Sequence, residues 1–434
     1  MDRRDFLRAG LPTGAALAIS ARPTPAIAQT NNPQLINVRD HGAKGDGRAD
    51  DTAALQKAFD AVTDNGTLYI PTGRYRLTRT VSLPPRNGVR IFGDGPGSYV
   101  IADASMQDLI RLDRPFSGGL IEQLTIDAAG KAETALRVMG GIWSRMNCLD
   151  IFNPRDKGLH CGDPDEPRSS GVECLITNSR LTGMAQRTRQ EHRSQMGILV
   201  EKWTDNHFNN LIVRGFNTGM EVRSASNLFH QVHIYRHPAY QFDYGLRIRT
   251  DSTYLTQAYF DNPLRTYVDV LGKNTMFQGC FFLRIRGAFG TNTDGDRVHA
   301  TGIQLGDEKT TAHNVTVFAN SFVCRLPEGF THDEAGMTAI RNVNSSNIIS
   351  KDNQYFDVIG GETVGKGNLT VPAGHDRVSV RHALLRQPST VHLTPLDFLT
   401  GAEYKVDQVT GDVFLVRLSK PAANDIRFYW KAEC

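Results

Sequence analysis

The chain has 434 residues, of which 40% are hydrophobic, 22% charged and 8% aromatic, with 40 glycines and a formal net charge of +3. This length exceeds one compact core of ordinary size, so the sequence predicts an elongated or repetitive fold. The apolar content excludes a disordered chain, and the absence of a glycine period excludes collagen. The sequence has no stripe of basic residues of the kind that a nucleic-acid-binding protein needs. Beyond the amino terminus, no apolar run approaches the ~20 residues of a membrane span.

The first 28 residues have the pattern of a twin-arginine signal peptide. Residues 3–7 read RRDFL, residues 11–20 are largely apolar, and residues 26–28 read AIA before Gln29. We expect cleavage after Ala28 and a periplasmic or secreted protein; the alternative is a short amphipathic start that stays in the cytosol. Removing the four arginines and two aspartates of this leader lowers the net charge to about +1.

The positions of the six cysteines do not match the spacing of a zinc-binding motif. Most of them lie in apolar runs, where a thiol acts as a small hydrophobic group. Twin-arginine substrates usually fold before export, in a reducing compartment, so most of these thiols are expected to be free core residues. They are Cys148, Cys161, Cys174, Cys280, Cys324 and Cys434.

A four-residue phrase (small, apolar, variable, apolar) recurs from residue 135 onward. Its first apolar residues are spaced by 22 to 39 positions, with several steps of 22 to 26. These residues are Leu136, Leu159, Ile198, Met220, Leu246, Val268 and Ile303. Internal repetition at such a period is typical of solenoids.

A second, alternating phrase precedes the first within the repeats, at residues 208–214, 229–235, 255–261 and 277–283. Two or three short strands per turn of roughly 22 residues predict an all-β fold, a parallel β-helix. We place this β-helix at residues 29–364. Residues 365–434 form a separate series of alternating strands, which predicts a small antiparallel β-sandwich.

The mature amino terminus carries a distinctive segment, with INVRDHGAKGDG at residues 36–47 and DDTAALQKAF at residues 50–59. Asp50 or Asp51 is expected to cap a helix with an apolar face that plugs the end of the solenoid. The segment resembles the opening of the pectate-lyase/polygalacturonase-like superfamily, which includes rhamnogalacturonase-like and epimerase-like proteins and phage tailspikes. This resemblance implies a right-handed β-helix that acts on or binds a polysaccharide, without choosing between lyase, hydrolase, epimerase and binder.

Alternation within the longer phrase predicts two outward columns of side chains. One column contains Ile212, His233, Tyr259 and Phe281, and its neighbour contains Arg214, Tyr235, Asp261 and Leu283. Flat rings stack on sugars, and charged groups bind hydroxyls or carboxylates. We therefore predict His233 and Asp261 as catalytic residues and Tyr235, Tyr259 and Arg214 as substrate ligands. The alternative is a solvated face or a trimer contact.

The shorter phrase predicts another outward column, composed of His160, Leu199, Glu221, Arg247, Asp269, Gln304 and Arg341. Glu221 and Asp269 would lie two strands apart, about 9.6 Å, which is near the carboxylate separation of an inverting glycosidase. Both are candidate catalytic residues, with Arg247 as a substrate ligand. Since Arg247 stands between them, a structural charge ladder is the simpler alternative.

Asp294 is a further catalytic candidate, because residues 292–295, NTDG, resemble the first catalytic motif of polygalacturonases. The remaining motifs of that family do not follow. A calcium-dependent lyase would need carboxylates for the ion, for which Asp261 and Asp269 are the nearest fit, and a basic residue as the base, for which Arg236 or Arg265 is the nearest fit. No other cofactor is predicted.

Taken together, the residues and the resemblance predict an exported enzyme that cleaves a polysaccharide, with acidic chains favoured, by hydrolysis or β-elimination. The alternative is a non-catalytic polysaccharide-binding or tailspike-like structural protein, for which a homotrimer is expected. In either case the partner is a polysaccharide, not nucleic acid or a membrane.

Overall fold

The structure is a computed structural model. It describes residues 35–162, 165, 170–183, 195–235, 243–262, 265–285, 299–326, 336–356, 358, 361–382, 384–411 and 413–434. The predicted signal peptide at residues 1–28, Asp294 and Arg236 therefore lie outside the described residues. No helix among the described residues is long and apolar enough to cross a membrane.

One side of the molecule is a parallel sheet that has ten strands within the described residues. Each strand pairs with the equivalent strand of the next turn, so the short phrase of the sequence is stacked in register. The strands are Val81–Leu83, Met106–Leu112, Ala132–Val138, Lys157–Cys161, Met196–Val200, Thr218–Val222, Tyr244–Ile248, Thr266–Val270, Ala300–Leu305 and Met337–Asn342.

The other two sides form a sheet of twenty strands, again counted over the described residues. Its two parallel ladders meet at a residue in the left-handed region, such as Asn178 (φ 52°) or Asn210 (φ 52°), which bends the chain between them. The strands are Leu35–Asn37, Asp46–Asp50, Thr67–Ile70, Gly73–Leu77, Arg90–Gly93, Ser98–Ala102, Leu120–Asp127, Arg145–Phe152, Leu175–Thr177, Arg180–Thr182, His207–Arg214, Leu228–Tyr235, Tyr254–Thr256, Tyr259–Asp261, Met276–Gln278, Phe281–Ile285, Ala312–Phe318, Ser321–Arg325, Ser345–Lys351 and Gln354–Phe356.

Three strands per turn, stacked in parallel, confirm the predicted β-helix. Three two-residue strands, Gly141–Ile142, Gly171–Val172 and Trp203–Thr204, form a further small ladder. The interior contains a file of stacked rings, with centroids 5.1 Å apart for Phe260–Phe282 and 4.6 Å for Phe282–Phe322. Each ring of such a stack buries a large apolar area between neighbouring turns.

The cysteines agree with the sequence prediction where they lie in the core. Cys161, Cys174, Cys280 and Cys324 are buried, whereas Cys148 is exposed and Cys434 is half-buried. Burial raises the pKa of the Cys280 thiol to about 12, so this side chain behaves as an apolar group.

The amino-terminal end is closed by the predicted helix, Thr52–Ala61, which follows a short 3₁₀ turn at Val38–His41. The two aspartates before the helix, Asp50 and Asp51, accept hydrogen bonds from different segments of the backbone. Asp50 Oδ1 accepts a hydrogen bond from Thr52 N at 3.0 Å, whereas the Asp51 carboxylate accepts from Lys44 N at 2.6 Å and Gly45 N at 3.1 Å. Leu55 and Phe59 are buried against the first turns, as predicted.

The carboxy-terminal part folds into two antiparallel three-stranded sheets, which confirms the predicted sandwich. It has a hydrophobic core of its own, which includes Phe414 and Phe428. One sheet contains Val364–Val371, Ile426–Glu433 and Thr390–Pro395, and the other contains Arg377–Arg381, Val413–Leu418 and Tyr404–Asp407.

Candidate functional site

The outward columns predicted on the twenty-stranded sheet are present in the structure. Ile212 pairs with His233, His233 with Tyr259, and Tyr259 with Phe281. In the neighbouring column Arg214 pairs with Tyr235, Tyr235 with Asp261, and Asp261 with Leu283. We call this surface the aromatic face.

His233 is the centre of the aromatic face. Its ring stacks on Tyr259, with centroids 4.4 Å apart and planes at 6°, and on Tyr235 at 4.5 Å. Its Nε2 is buried and has no hydrogen-bond partner. Burial lowers the pKa of His233 to about 4, so the imidazole is neutral near pH 7 but is a weak base.

Asp261 and Arg214 lie beside this stack. Burial raises the pKa of Asp261 to about 6, and its Oδ1 accepts a hydrogen bond from Asn262 Nδ2. Arg214 Nη1 donates to Tyr235 Oη at 3.1 Å. The predicted site residues of this face are therefore neighbours, and all are at least partly accessible.

The short-phrase column is also present on the ten-stranded sheet, from His160 through Leu199, Glu221, Arg247, Asp269 and Gln304 to Arg341. Glu221 lies between the core residues Met220 and Val222, so its side chain is on the outer side of the sheet. This column is outward-facing as predicted but is not open to solvent, since His160, Glu221 and Asp269 are only 3%, 3% and 4% exposed. We call this surface the charged face.

Glu221 is held by three arginines. Its carboxylate lies 2.7 Å from Arg223 Nε, 3.2 Å from Arg249 Nε and 3.8 Å from Arg247 Nη1. Arg247 Nε also lies 3.3 Å from Asp269 Oδ2, so it bridges the two carboxylates. This is the charge-ladder arrangement, in which Arg247 occupies the space between the two acids. Burial still raises the pKa of Asp269.

His160 is placed by a residue that the sequence reasoning did not select. Its Nε2 lies 2.8 Å from Glu201 Oε2, and the other Glu201 oxygen forms an ion pair with Arg223. These hydrogen bonds lower the pKa of Glu201 to about 2, so it is ionised at neutral pH. His160 Nδ1 is buried and has no hydrogen-bond partner.

Glu201, Arg223 and Arg249 lie just after the strands that contain Leu199, Glu221 and Arg247. Each is two residues beyond a residue of the predicted column, and alternation places such residues on the same side. Extending the repeated phrase by two positions would have found them.

Among the described residues, no group of three or more His, Cys, Asp or Glu side chains is arranged to hold a metal ion. Asp261 and Asp269 belong to different sheets, and Arg265 Nε lies 3.5 Å from Asp243 Oδ1. The calcium set considered from the sequence is thus divided between the two faces.

Comparison with known proteins agrees with this geometry. Residues 35–243 match the family described as rhamnogalacturonase A/epimerase, pectate lyase-like. The matched segment includes His160, Glu201, Glu221 and His233, and therefore parts of both faces.

Two curated relatives are enzymes that are named for polysaccharides. The chain is 39% identical to mannuronan C5-epimerase AlgE1 of Azotobacter vinelandii over 95 residues, which is 20% of this chain and 7% of that protein. It is 44% identical to alginate lyase 7 of the same organism over 72 residues, 15% of this chain and 8% of that protein. The chain thus spans less than a tenth of either relative.

Among solved structures, the Dettilon tailspike protein superimposes with a TM-score of 0.56 over 92% of this chain and 94% of its own, at 12% identity. At this identity the similarity shows the fold alone.

Proposed function

We propose that the protein is an enzyme of acidic polysaccharides that removes the proton next to a uronate carboxylate, with β-eliminative cleavage as the outcome. The observation that carries this proposal is His160, whose Nε2 is fixed by the ionised Glu201 and whose Nδ1 has no partner. A histidine oriented by a carboxylate through one ring nitrogen is a general base at the other. The names of the two relatives support uronate chemistry.

In this reaction substrate binding must uncover Nδ1 of His160, which is buried in the free protein, and Nδ1 then takes the proton from the carbon that bears the carboxylate. The electron pair of the broken C–H bond becomes the new C=C bond as the bond to the glycosidic oxygen breaks, and that oxygen takes a proton from water. Arg223 and Arg249 have side chains that are 42% and 34% exposed. An arginine has five N–H donors, so both can bind the substrate carboxylate besides Glu221.

The base is assigned to His160 and not to His233 because a carboxylate orients the His160 ring. Glu201 fixes that ring through Nε2 and leaves Nδ1 for the proton, whereas burial without an anion lowers the pKa of His233 to about 4. The aromatic face, with Tyr235, Tyr259 and Arg214, then serves to bind sugar rings. Hydrolysis by Glu221 and Asp269 is disfavoured because Arg247 fills the space that a water needs.

The rival function is non-catalytic binding of a polysaccharide by a tailspike-like homotrimer. Two observations support this rival: the aromatic face could bind a polysaccharide without catalysis, and the β-helix fold is shared with a tailspike. Export after cleavage following Ala28 is compatible with either function and stays a prediction from the sequence.

The test is turnover of polymannuronate, polygalacturonate and neutral glucans, followed by reducing ends and by the ultraviolet absorbance of unsaturated uronates, with calcium or chelator. We expect new reducing ends together with that absorbance on an acidic chain. His160→Gln and Glu201→Gln should lower turnover at least 100-fold, since general-base catalysis contributes about 10²–10⁴-fold.

His230→Gln is the matched control, because His230 is half-buried on the other sheet and bonds Thr256 Oγ1 at 2.9 Å. Loss of turnover in His233→Gln or Asp261→Asn with full activity of His160→Gln would move the base to the aromatic face. Reducing ends without absorbance would indicate hydrolysis. Absence of turnover on every chain, with a trimer in sedimentation, would favour the rival.

A further inference from the structure

A cleft of about 550 Å³ lies where the β-helix meets the carboxy-terminal sheets. It opens beside Tyr355, the last ring of the interior stack, which lies 5.6 Å from Phe322. None of the residues that line the cleft belongs to either face described above. Its lining includes Lys351, Tyr355, Glu362, Lys366, Trp430 and Lys431.

Two buried polar atoms in this cleft, Tyr355 Oη and Glu362 Oε2, make no hydrogen bond of normal geometry. The two groups are close enough to interact, since burial and the Glu362 carboxylate raise the pKa of Tyr355. The other oxygen of Glu362 accepts from Asn353 N at 3.0 Å, which fixes the carboxylate. Because a buried polar atom without a well-formed hydrogen bond destabilises the protein, such a pair is typical of a site that a ligand completes.

The cleft also has a rigid apolar wall and a cationic rim. Trp430 is only 7% exposed, and a Cβ at Gly365 or Gly367 would lie 3.1 or 2.9 Å from atoms of its ring. The two glycines therefore let the backbone pass close to the indole, which is held in place. The lysines Lys351, Lys366 and Lys431 are exposed at the rim.

We propose that this cleft is a second saccharide site, which binds a short acidic segment of the polysaccharide away from the catalytic residues. Sugar hydroxyls would pair with Tyr355 Oη and Glu362 Oε2, the ring would pack on Trp430, and carboxylates would meet the rim lysines. The acidic class of the sugar rests on the proposed function, whereas the site itself rests on the cleft.

The test is titration calorimetry of the full chain, in a His160→Gln background that prevents turnover, with tetramers of mannuronate and galacturonate and a neutral glucan tetramer. We expect Tyr355→Phe and Lys366→Ala each to weaken binding of an acidic tetramer at one site at least tenfold. Tyr404→Phe is the matched control, because this tyrosine lies on the other carboxy-terminal sheet.

Folding is checked separately. Tyr355→Phe removes a hydroxyl without a well-formed hydrogen bond, so its melting temperature without ligand should equal or exceed that of the parent chain. Unchanged binding in Tyr355→Phe and Lys366→Ala, or equal binding of the neutral tetramer, would overturn the proposal. Cleft binding without turnover of any polysaccharide would reject the proposed function and leave this site standing.

Discussion

Glu201 and Asp261 are both carboxylic acids, but their surroundings move their pKa values in opposite directions. The pKa of Glu201 falls to about 2, first because His160 donates to it and then because Arg223 does. The pKa of Asp261 rises to about 6 because burial disfavours its charge. Each shift is linked to a change of folding stability with pH.

For Glu201 the folded pKa lies below the unfolded value, so its contribution to stability is complete above about pH 4.5 and is lost as the pH falls toward 2. We expect Glu201→Gln to lower the free energy of unfolding by up to roughly 3 kcal/mol at pH 6 and by much less at pH 3. Urea unfolding over this pH range measures the difference. An effect independent of pH would contradict the assignment of the low pKa.

For Asp261 the folded pKa lies above the unfolded value, so stability is lost as the pH rises from about 4 through 6. Asp261→Asn should therefore be more stable than the parent chain above pH 6 and equal to it below pH 4. The same urea series measures this. A destabilised Asp261→Asn at pH 7 would mean that the carboxylate has a stabilising partner.

At the scale of the strand, successive side chains point alternately to the core and to the surface. In Phe281–Ile285, Phe282 is fully buried in the ring stack, whereas the adjacent Phe281 is 36% exposed on the aromatic face. We expect Phe282→Ala to cost about 3–5 kcal/mol and Phe281→Ala about 1 kcal/mol or less. The urea midpoints of the two variants provide the comparison, provided that the dependence of the unfolding free energy on urea is unchanged. Equal losses of stability would contradict the assigned side-chain directions.

The strands and their register could be predicted from the sequence because alternation has a period of two. That period assigned Ile212, His233 and Tyr259 to one outward column, as observed. The same pattern cannot show how much of an outward face is covered, so the burial of Glu221 and Asp269 was missed. Glu201 was missed because it lies beyond the last residue of the strand Met196–Val200.

At the scale of the whole molecule, the described chain has two hydrophobic cores. Phe414 is fully buried in the smaller one, where it packs edge-on against Trp430 at 5.3 Å. We expect two calorimetric transitions, of which Phe414→Ala lowers only that of the carboxy-terminal sheets. Phe282→Ala should lower the other, and a single transition shifted by both variants would show one cooperative unit instead.

The regular stacking of turns also sets the distance along the β-helix from His160 to Arg341, whose neighbour Ile340 lies against Gly361 beside the cleft. Six strand intervals separate His160 from Arg341 on the ten-stranded sheet, which is roughly 29 Å at the usual strand spacing. A chain anchored in the carboxy-terminal cleft would then meet the base at a set number of sugar units from the anchor. The number of turns of the β-helix would then set the length of the product. Gain or loss of one turn would change that length by a fixed step without altering the cleft or the residues around the base.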